Sequence, residues 1–431
     1  MEEDLQYAWQ HKLYPEGKLQ DTAGNPVSVL SPGWINHDAG PDFFNAKIVI
    51  NGQEWAGNVE VHMKSSDWYR HGHQHNPAYD SVILHVVDTA DTEVTRQDGT
   101  PIPQLELHVT EKMARFKEML MTGGTIELPC ADMIPDIPRI YLTDWITALG
   151  YERIYSKTDR LEAILSATGN NWEETLYIIL ARALGFGKNS DQFERLARSM
   201  PLCYLRKHRD SITALESMLF GQSALLDYIP AENEYAAMLQ REYLFYARKF
   251  SLERPEICWQ TGRMRPQNLP HRRIAMLAAL LHEHTNMFSE IISADRSVEQ
   301  YKDLFDVTLS PFWSSNYNFA TWHEPELTKA KGLSHQSVNT LIINAVVPLL
   351  HSYGTIYNKP ALRERAIDLL ESLPAEKNSP VEILRRAGFP CGSAFESQGC
   401  LQLRKEYCEN RKCLRCRIGL RKYKTQFPNI C

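Results

Sequence analysis

A run of chemically reactive side chains lies between residues 57 and 75. It reads GNVEVHMKSSD and then WYRHGHQH, so Glu60, His62 and Lys64 alternate along the chain. Side chains at alternate positions of a β-strand point to one face of its sheet. An acid, an imidazole and an amine would therefore stand side by side, which indicates acid–base or metal chemistry rather than a packed core.

A second acid precedes this run in the segment GPDFFNAKIVI. Asp42 lies at the start of a predicted strand. An Asn-Gly pair, which is typical of a hairpin turn, separates this strand from the next one, which carries Glu60. The two carboxylates could converge on Mg²⁺ or Mn²⁺, which prefers oxygen ligands. Such an ion activates water and neutralises a phosphodiester. The alternative is that Asp42 caps a turn and Glu60 is an exposed strand acid. The apolar neighbours favour a site, because a buried unpaired carboxylate is costly.

Three histidines, His71, His73 and His75, follow the strand of Glu60. If this segment is extended, they share a face and could bind Zn²⁺ together with His62 or Asp67. They could equally contact substrate phosphate, or belong to a polar loop. His85 lies in an apolar strand, and we expect it to be a hydrogen-bonded core residue.

Cysteines cluster near the C-terminus. Cys400, Cys408, Cys413 and Cys416 lie within 17 residues, which suits Zn²⁺ or an iron–sulfur cluster. Cys391 or Cys431 could replace Cys400, and the thiols could also be reduced without metal. The surrounding cations suit phosphate contacts, and they include Arg411, Lys412, Arg415 and Arg417.

Charge is distributed unevenly along the 431 residues. Residues 1–110 contain 16 acidic and 6 basic residues, whereas residues 400–431 contain 2 acidic and 9 basic residues. This pattern fits an acidic metal-binding region and a tail that approaches DNA or RNA, although two solvated surfaces would give the same counts. The acidic start without an apolar core and the lack of a long apolar run predict a cytoplasmic protein without membrane spans.

Hydrophobic periodicity predicts a mixed α/β chain in three parts. Residues 1–125 have mainly strand patterns, residues 126–385 have helical patterns, and residues 386–431 form a basic, cysteine-rich tail. The first residues predict a short helix. The segment from Thr340 is apolar nearly all round, and we expect a buried helix that ends near Pro348.

The motifs P41-D42 and E60-V-H62 resemble the PD-(D/E)XK nuclease superfamily. The resemblance implies a restriction-endonuclease-like sheet with Asp42 and Glu60 as metal ligands, and Glu3 as an extra acid. His62 replaces the usual lysine, and Lys64 could assume that role. Gln74 or His75 would correspond to a crossover residue.

The whole chain also resembles an uncharacterised bacterial family classed as a domain of unknown function. The motifs that carry the resemblance are GPDF, WAGNVEVH, SDWYRHGH, VILHVV, LFGQSA and CENRKCLRCRIG.

Three functions follow from these patterns. The first is a metal-dependent nuclease, the second a non-catalytic nucleic-acid-binding or scaffold protein with a degenerate nuclease-like fold, and the third a metal hydrolase that acts on a small substrate through its histidines. No phosphate-binding loop, dinucleotide fingerprint or serine-hydrolase elbow occurs in the sequence.

Overall fold

The computed structural model describes residues 2–10, 12, 14, 19–36, 40–108, 128, 130–227, 229, 232–293, 296–320, 333–410 and 412–426. The chain divides into two compact units. One contains residues 1–142 together with 403–431, and the other contains residues 143–402. The basic tail therefore belongs to the same unit as the N-terminal region.

A mixed sheet forms the first unit. Its strands are β1 (Leu19–Gln20), β2 (Pro26–Ser31), β3 (Trp34–Ile35), β4 (Phe43–Ile50), β5 (Gln53–Lys64), β6 (Val82–Thr89) and β7 (Gln104–Glu106). The order is β1-β2-β4-β5-β6-β7, and β3 pairs with β4. Strands β4 and β5 are antiparallel, whereas β5–β6 and β6–β7 are parallel. Asn51 and Gly52 form the predicted hairpin turn, and both have positive φ angles.

The crossover between β5 and β6 is short. It contains helix α2 (Asp67–Arg70) and two 3₁₀ turns, His73–His75 and Pro77–Tyr79. Because β5 and β6 are parallel, the crossover must carry the chain back to the end of the sheet at which β5 begins. Strand β6 is buried along its first six residues, which explains its continuous apolar sequence.

Helix α1 (Glu2–Gln10) packs on the sheet through Leu5 and Trp9, which are fully buried. These two side chains share a hydrophobic core with Val59 and Val61 of β5. The polar residues of α1 are consequently held near the middle of β5.

The second unit is helical. Helix α4 (Trp172–Leu184) is buried along most of its length, and the side chain of Asn171 caps it by accepting from the amides of Glu173 and Glu174. The helices are α3 (Arg139–Ala167, which begins in the first unit), α4, α5 (Ser190–Ser199), α6 (Leu202–Arg206), α7 (Ile212–Gln222), α8 (Glu234–Phe250), α9 (Pro270–Glu283), α10 (Met287–Ile292), α11 (Val298–Asp303), α12 (Pro311–Ser315), α13 (His335–Leu341), α14 (Val347–Ile356), α15 (Pro360–Ser372), α16 (Ser379–Arg386) and α17 (Ala394–Gln402). In the first unit, α18 (Arg417–Gln426) follows a 3₁₀ turn at Cys413–Arg415.

The predicted helix end near Pro348 is wrong. A π-helical turn at Ile342–Val346 connects α13 to α14, and Pro348 lies in the first turn of α14. Proline lacks an amide hydrogen and disrupts a regular α-helix. The wider π turn changes the backbone hydrogen-bond pattern just before the proline, so the helical path continues.

The predicted fold class is confirmed: an N-terminal mixed sheet precedes a mostly helical region. In the described part of the chain, none of the helices combines the length and the apolar character that crossing a membrane would require.

Candidate active site

Asp42 and Glu60 contact each other across the β4–β5 hairpin. The amide of Asp42 donates to Glu60 Oε2 at 3.0 Å, and the amide of Val61 donates to Asp42 Oδ2 at 3.0 Å. Glu60 is only 4% exposed. The two acids that the sequence singled out therefore lie side by side, with Glu60 buried and Asp42 half-buried.

A β-bulge helps to bring them together. The register between β4 and β5 shifts between Phe43 and Ala46, and Asn45 in this interval has a φ of 56°. The amide of Asn45 donates to Asn58 Oδ1 at 3.2 Å. Bulges redirect the residues beside them, and this one lies directly after Asp42.

Burial raises the pKa of both carboxyl groups. Burial, and next the charge of Glu60, raise the pKa of Asp42 to about 7. Burial raises the pKa of Glu60 to about 8. The hydrogen bond from the amide of Asp42 acts against this rise, and the charge of Glu2 adds to it. The pair therefore favours a bound proton, or a cation in its place, near neutral pH.

Helix α1 contributes two polar residues to this position. The side chain of Gln6 hydrogen-bonds Asp42. Burial and then the charge of Asp42 raise the pKa of Glu2. The acid expected from this helix was Glu3, but the side chain of Glu3 lies outside the described residues.

Two histidines face Glu60. His62 Nε2 and His73 Nε2 each lie 3.4 Å from Glu60 Oε1. His71 Nδ1 lies 3.2 Å from His62 Nε2. One nitrogen from each of these three histidines can be chosen so that all three lie within 4.8 Å of one another, close enough to share a metal ion. The crossover thus brings His71 and His73 back onto the strand that carries Glu60.

His62 is a neutral imidazole in this environment. Burial, followed by the nearby His85, lowers the pKa of His62 to about 2. His62 Nδ1 lies 2.9 Å from His85 Nε2, and His85 is fully buried, as expected for a hydrogen-bonded core residue. When Nδ1 carries the proton of His62, Nε2 keeps its lone pair towards Glu60 and can bind a metal. His62 therefore does not supply the positive charge of a lysine.

Aromatic rings hold His73 in place. Tyr79 stacks on it with ring centroids 3.8 Å apart, and Trp68 meets it edge-on at 5.3 Å. Sequence reasoning did not identify Glu2, Gln6, Trp68 or Tyr79 as site residues. Apart from the three consecutive acids at the start of α1, no spacing signal connects these positions with β5.

Lys64 and His75 differ from the other predicted residues. Lys64 is exposed at the end of β5, and His75 is exposed in the 3₁₀ turn. Gln74 is half-buried beside His75.

The tail also reaches this region. The guanidinium of Arg415 donates to Gln6 Oε1 at 3.5 Å, and Gln6 in turn bonds Asp42. Lys412 is half-buried, Arg417 is exposed, and Arg411 lies outside the described residues.

The predicted cysteine set is divided between the two units. Cys400 lies in the helical unit, where its Sγ is 2.9 Å from that of Cys391. Cys408, Cys413 and Cys416 lie in the sheet unit. The prediction grouped them by spacing alone, but α17, which carries Cys400, belongs to the helical unit. Cys431 lies outside the described residues.

A family model described as a protein of unknown function, DUF2851, matches residues 2–379. The chain belongs to the DUF2851 family. The match includes the sheet, α1, the crossover and most of the helical unit. No curated protein matches this DUF2851 chain. No solved structure matches it either.

Proposed function

We propose that this DUF2851 protein is a metal-dependent phosphodiesterase that cleaves nucleic acid. The observation that carries the proposal is the contact between Asp42, a half-buried acid directly before β4, and Glu60, a buried acid of β5 with two imidazoles beside it. An antiparallel strand pair followed by a parallel strand also agrees with the PD-(D/E)XK resemblance.

The donor set fits a divalent cation. Carboxylate oxygens suit Mg²⁺ and Mn²⁺, and an imidazole ligand such as His73 suits Mn²⁺ better than Mg²⁺. The Nε2 atom of His73 is buried and has no hydrogen-bond partner among the described residues, although it faces Glu60. A bound divalent cation would neutralise charge on the phosphodiester and lower the pKa of water.

The protein residues would divide the remaining tasks. Asp42 and Glu60 would hold the cation, and Gln6 orients Asp42 through its hydrogen bond. The neutral His62 would accept a hydrogen bond and so orient a water molecule. Arg415, which contacts Gln6, would bind a substrate phosphate.

The test is cleavage of labelled single-stranded DNA, double-stranded DNA and RNA with Mn²⁺ or Mg²⁺. We expect Asp42→Asn and Glu60→Gln each to reduce cleavage by about 100-fold. Glu54→Gln is the matched control, because Glu54 is an exposed acid on the same strand. Unchanged cleavage in both site variants would refute the proposal. Binding of nucleic acid without cleavage or metal binding would favour the scaffold function.

The histidine group supports a second candidate, a metal hydrolase of small substrates. Its specific observation is the proximity of His62, His71 and His73. In that case His71→Ala would abolish hydrolysis of a small phosphodiester, and Arg415→Ala would have no effect on any substrate. In the nuclease, Arg415→Ala would weaken nucleic-acid binding. It would also reduce the slope of the logarithm of the binding constant against the logarithm of the salt concentration by about 1.

A further inference from the structure

Two tail cysteines flank a single tight turn. Cys413 begins the 3₁₀ turn, and the amide of Cys416 donates to the carbonyl of Cys413 at 3.2 Å. Cys408 ends a π-helical turn, Leu403–Cys408, that contacts this 3₁₀ turn. Two thiolates on either side of a short turn can reach one metal centre.

A fourth cysteine comes from far upstream in the sequence. Cys130 lies one residue before the 3₁₀ segment Ala131–Asp136, and both Cys130 and Cys413 pack against the hydrophobic core of the sheet unit. Cys408, Cys413 and Cys416 belong to the same compact unit as Cys130, and the turn that ends at Cys408 contacts the turn that begins at Cys413. All four thiols therefore lie in one unit.

The spacing of the sulfur atoms bears on the kind of centre. Among the described residues, His62, His71 and His73 are the group of three or more possible metal ligands whose donor atoms all lie within 4.8 Å of one another. The four sulfur atoms do not meet this limit, so they are spread more widely. Four sulfur ligands on a single Zn²⁺ would lie about 3.8 Å apart, given Zn–S bonds of about 2.3 Å. A [4Fe–4S] cluster separates its four cysteine ligands further, because each binds a different iron atom.

We propose that Cys130, Cys408, Cys413 and Cys416 bind an iron–sulfur cluster that fastens the tail to the sheet unit. Cys130 takes the place that spacing had given to Cys400. Arg415 lies between two of these ligands, so the same centre would fix its position beside Gln6. The inference does not depend on the nuclease activity.

Differential alkylation of the intact protein tests the ligand set without any variant. Protein purified without oxygen is labelled with iodoacetamide before and after iron chelation, and the sites are identified by mass spectrometry. Cys203 and Cys258 are exposed and serve as internal controls that are labelled in both samples. We expect the four proposed ligands to gain label only after chelation. Labelling of Cys130 that is independent of chelation would overturn the assignment.

Metal analysis identifies the centre. We expect iron, sulfide and visible absorbance in the wild-type protein, with loss of all three in Cys130→Ser and Cys408→Ser. Cys400→Ser is the matched control and should keep them. Retention of iron in Cys130→Ser together with its loss in Cys400→Ser would overturn the ligand set. One equivalent of zinc without iron would overturn the choice of cluster.

Discussion

At the scale of single residues, burial determines the chemistry of the candidate site. Glu60 and His62 are both nearly inaccessible to water, and both are pushed towards their uncharged forms. Their pKa values move in opposite directions because desolvation disfavours the charged form of either group. Glu60 favours its protonated form, and the neighbouring His62 stays neutral. A metal cation could take the place of the proton on Glu60 and also bind the unprotonated imidazole nitrogen.

The raised pKa of Glu60 makes stability depend on pH. The pKa of Glu60 is about 8 in the folded protein, compared with 4.5 for a glutamate that is exposed to water. The stabilising contribution of the protonated form is fully present below pH 4.5 and is lost as the pH rises through about 8. In the presence of a chelator, we expect Glu60→Gln to equal the wild type near pH 4.5. Above pH 8 it should exceed the wild type by on the order of 5 kcal/mol.

Denaturant unfolding at several pH values measures this difference. Glu54→Gln, on the same strand but exposed, should show no such trend. A stability difference that is the same at pH 5 and pH 8.5 would contradict the raised pKa.

At the scale of elements, the site depends on the pairing of β5 with both of its neighbours. Strand β4 brings Asp42 to Glu60, and β6 brings His85 to His62. The crossover between β5 and β6 returns His73 to the same position. A shift of one residue in the register of β5 would turn Glu60 and His62 to the opposite face.

Gly57 permits the close approach of β5 and β6. A Cβ atom at this position would lie 2.7 Å from the carbonyl oxygen of Ser81, and it would also overlap the side chain of Ile83. We expect Gly57→Val to lower the free energy of unfolding by about 2–3 kcal/mol, because the backbone of the neighbouring segment cannot yield easily. Denaturant titration measures the loss. Ala56→Val is the control, since Ala56 is exposed and valine favours strands.

At the scale of the whole molecule, the chain ends in the unit where it began. Residues 403–431 belong to the sheet unit, and Cys413 and Leu420 pack against its core. The most basic segment of the sequence is thus part of the unit that contains the acidic site. In the proposed nuclease, the cations would attract the nucleic-acid backbone and the acids would hold the metal.

Removal of residues 403–431 should therefore destabilise the sheet rather than leave it unchanged. We expect faster amide hydrogen exchange in β5 and β6, because the core loses the apolar side chains of the tail. Removal of residues 427–431 alone is the control. Unaltered exchange in β5 and β6 after the longer deletion would show that the tail does not support the sheet.

The sequence by itself determined the mixed sheet, the helical region and the central pair of acids. Alternation along β5, the Asn-Gly turn and the apolar run of β6 are local patterns, and local patterns follow from backbone geometry. Asp42 and Glu60 could be paired because a hairpin joins their strands.

Only the tertiary structure decided which distant residues join them. Glu2 and Gln6 approach Asp42 from α1, Arg415 of the tail donates to Gln6, and Cys130, unlike Cys400, lies in the same unit as Cys408. Such contacts depend on how the hydrophobic core packs elements that are remote in sequence, and no periodicity encodes that packing. The sequence also did not give the protonation states of Asp42, Glu60 and His62, because these depend on how far the folded chain removes each group from water.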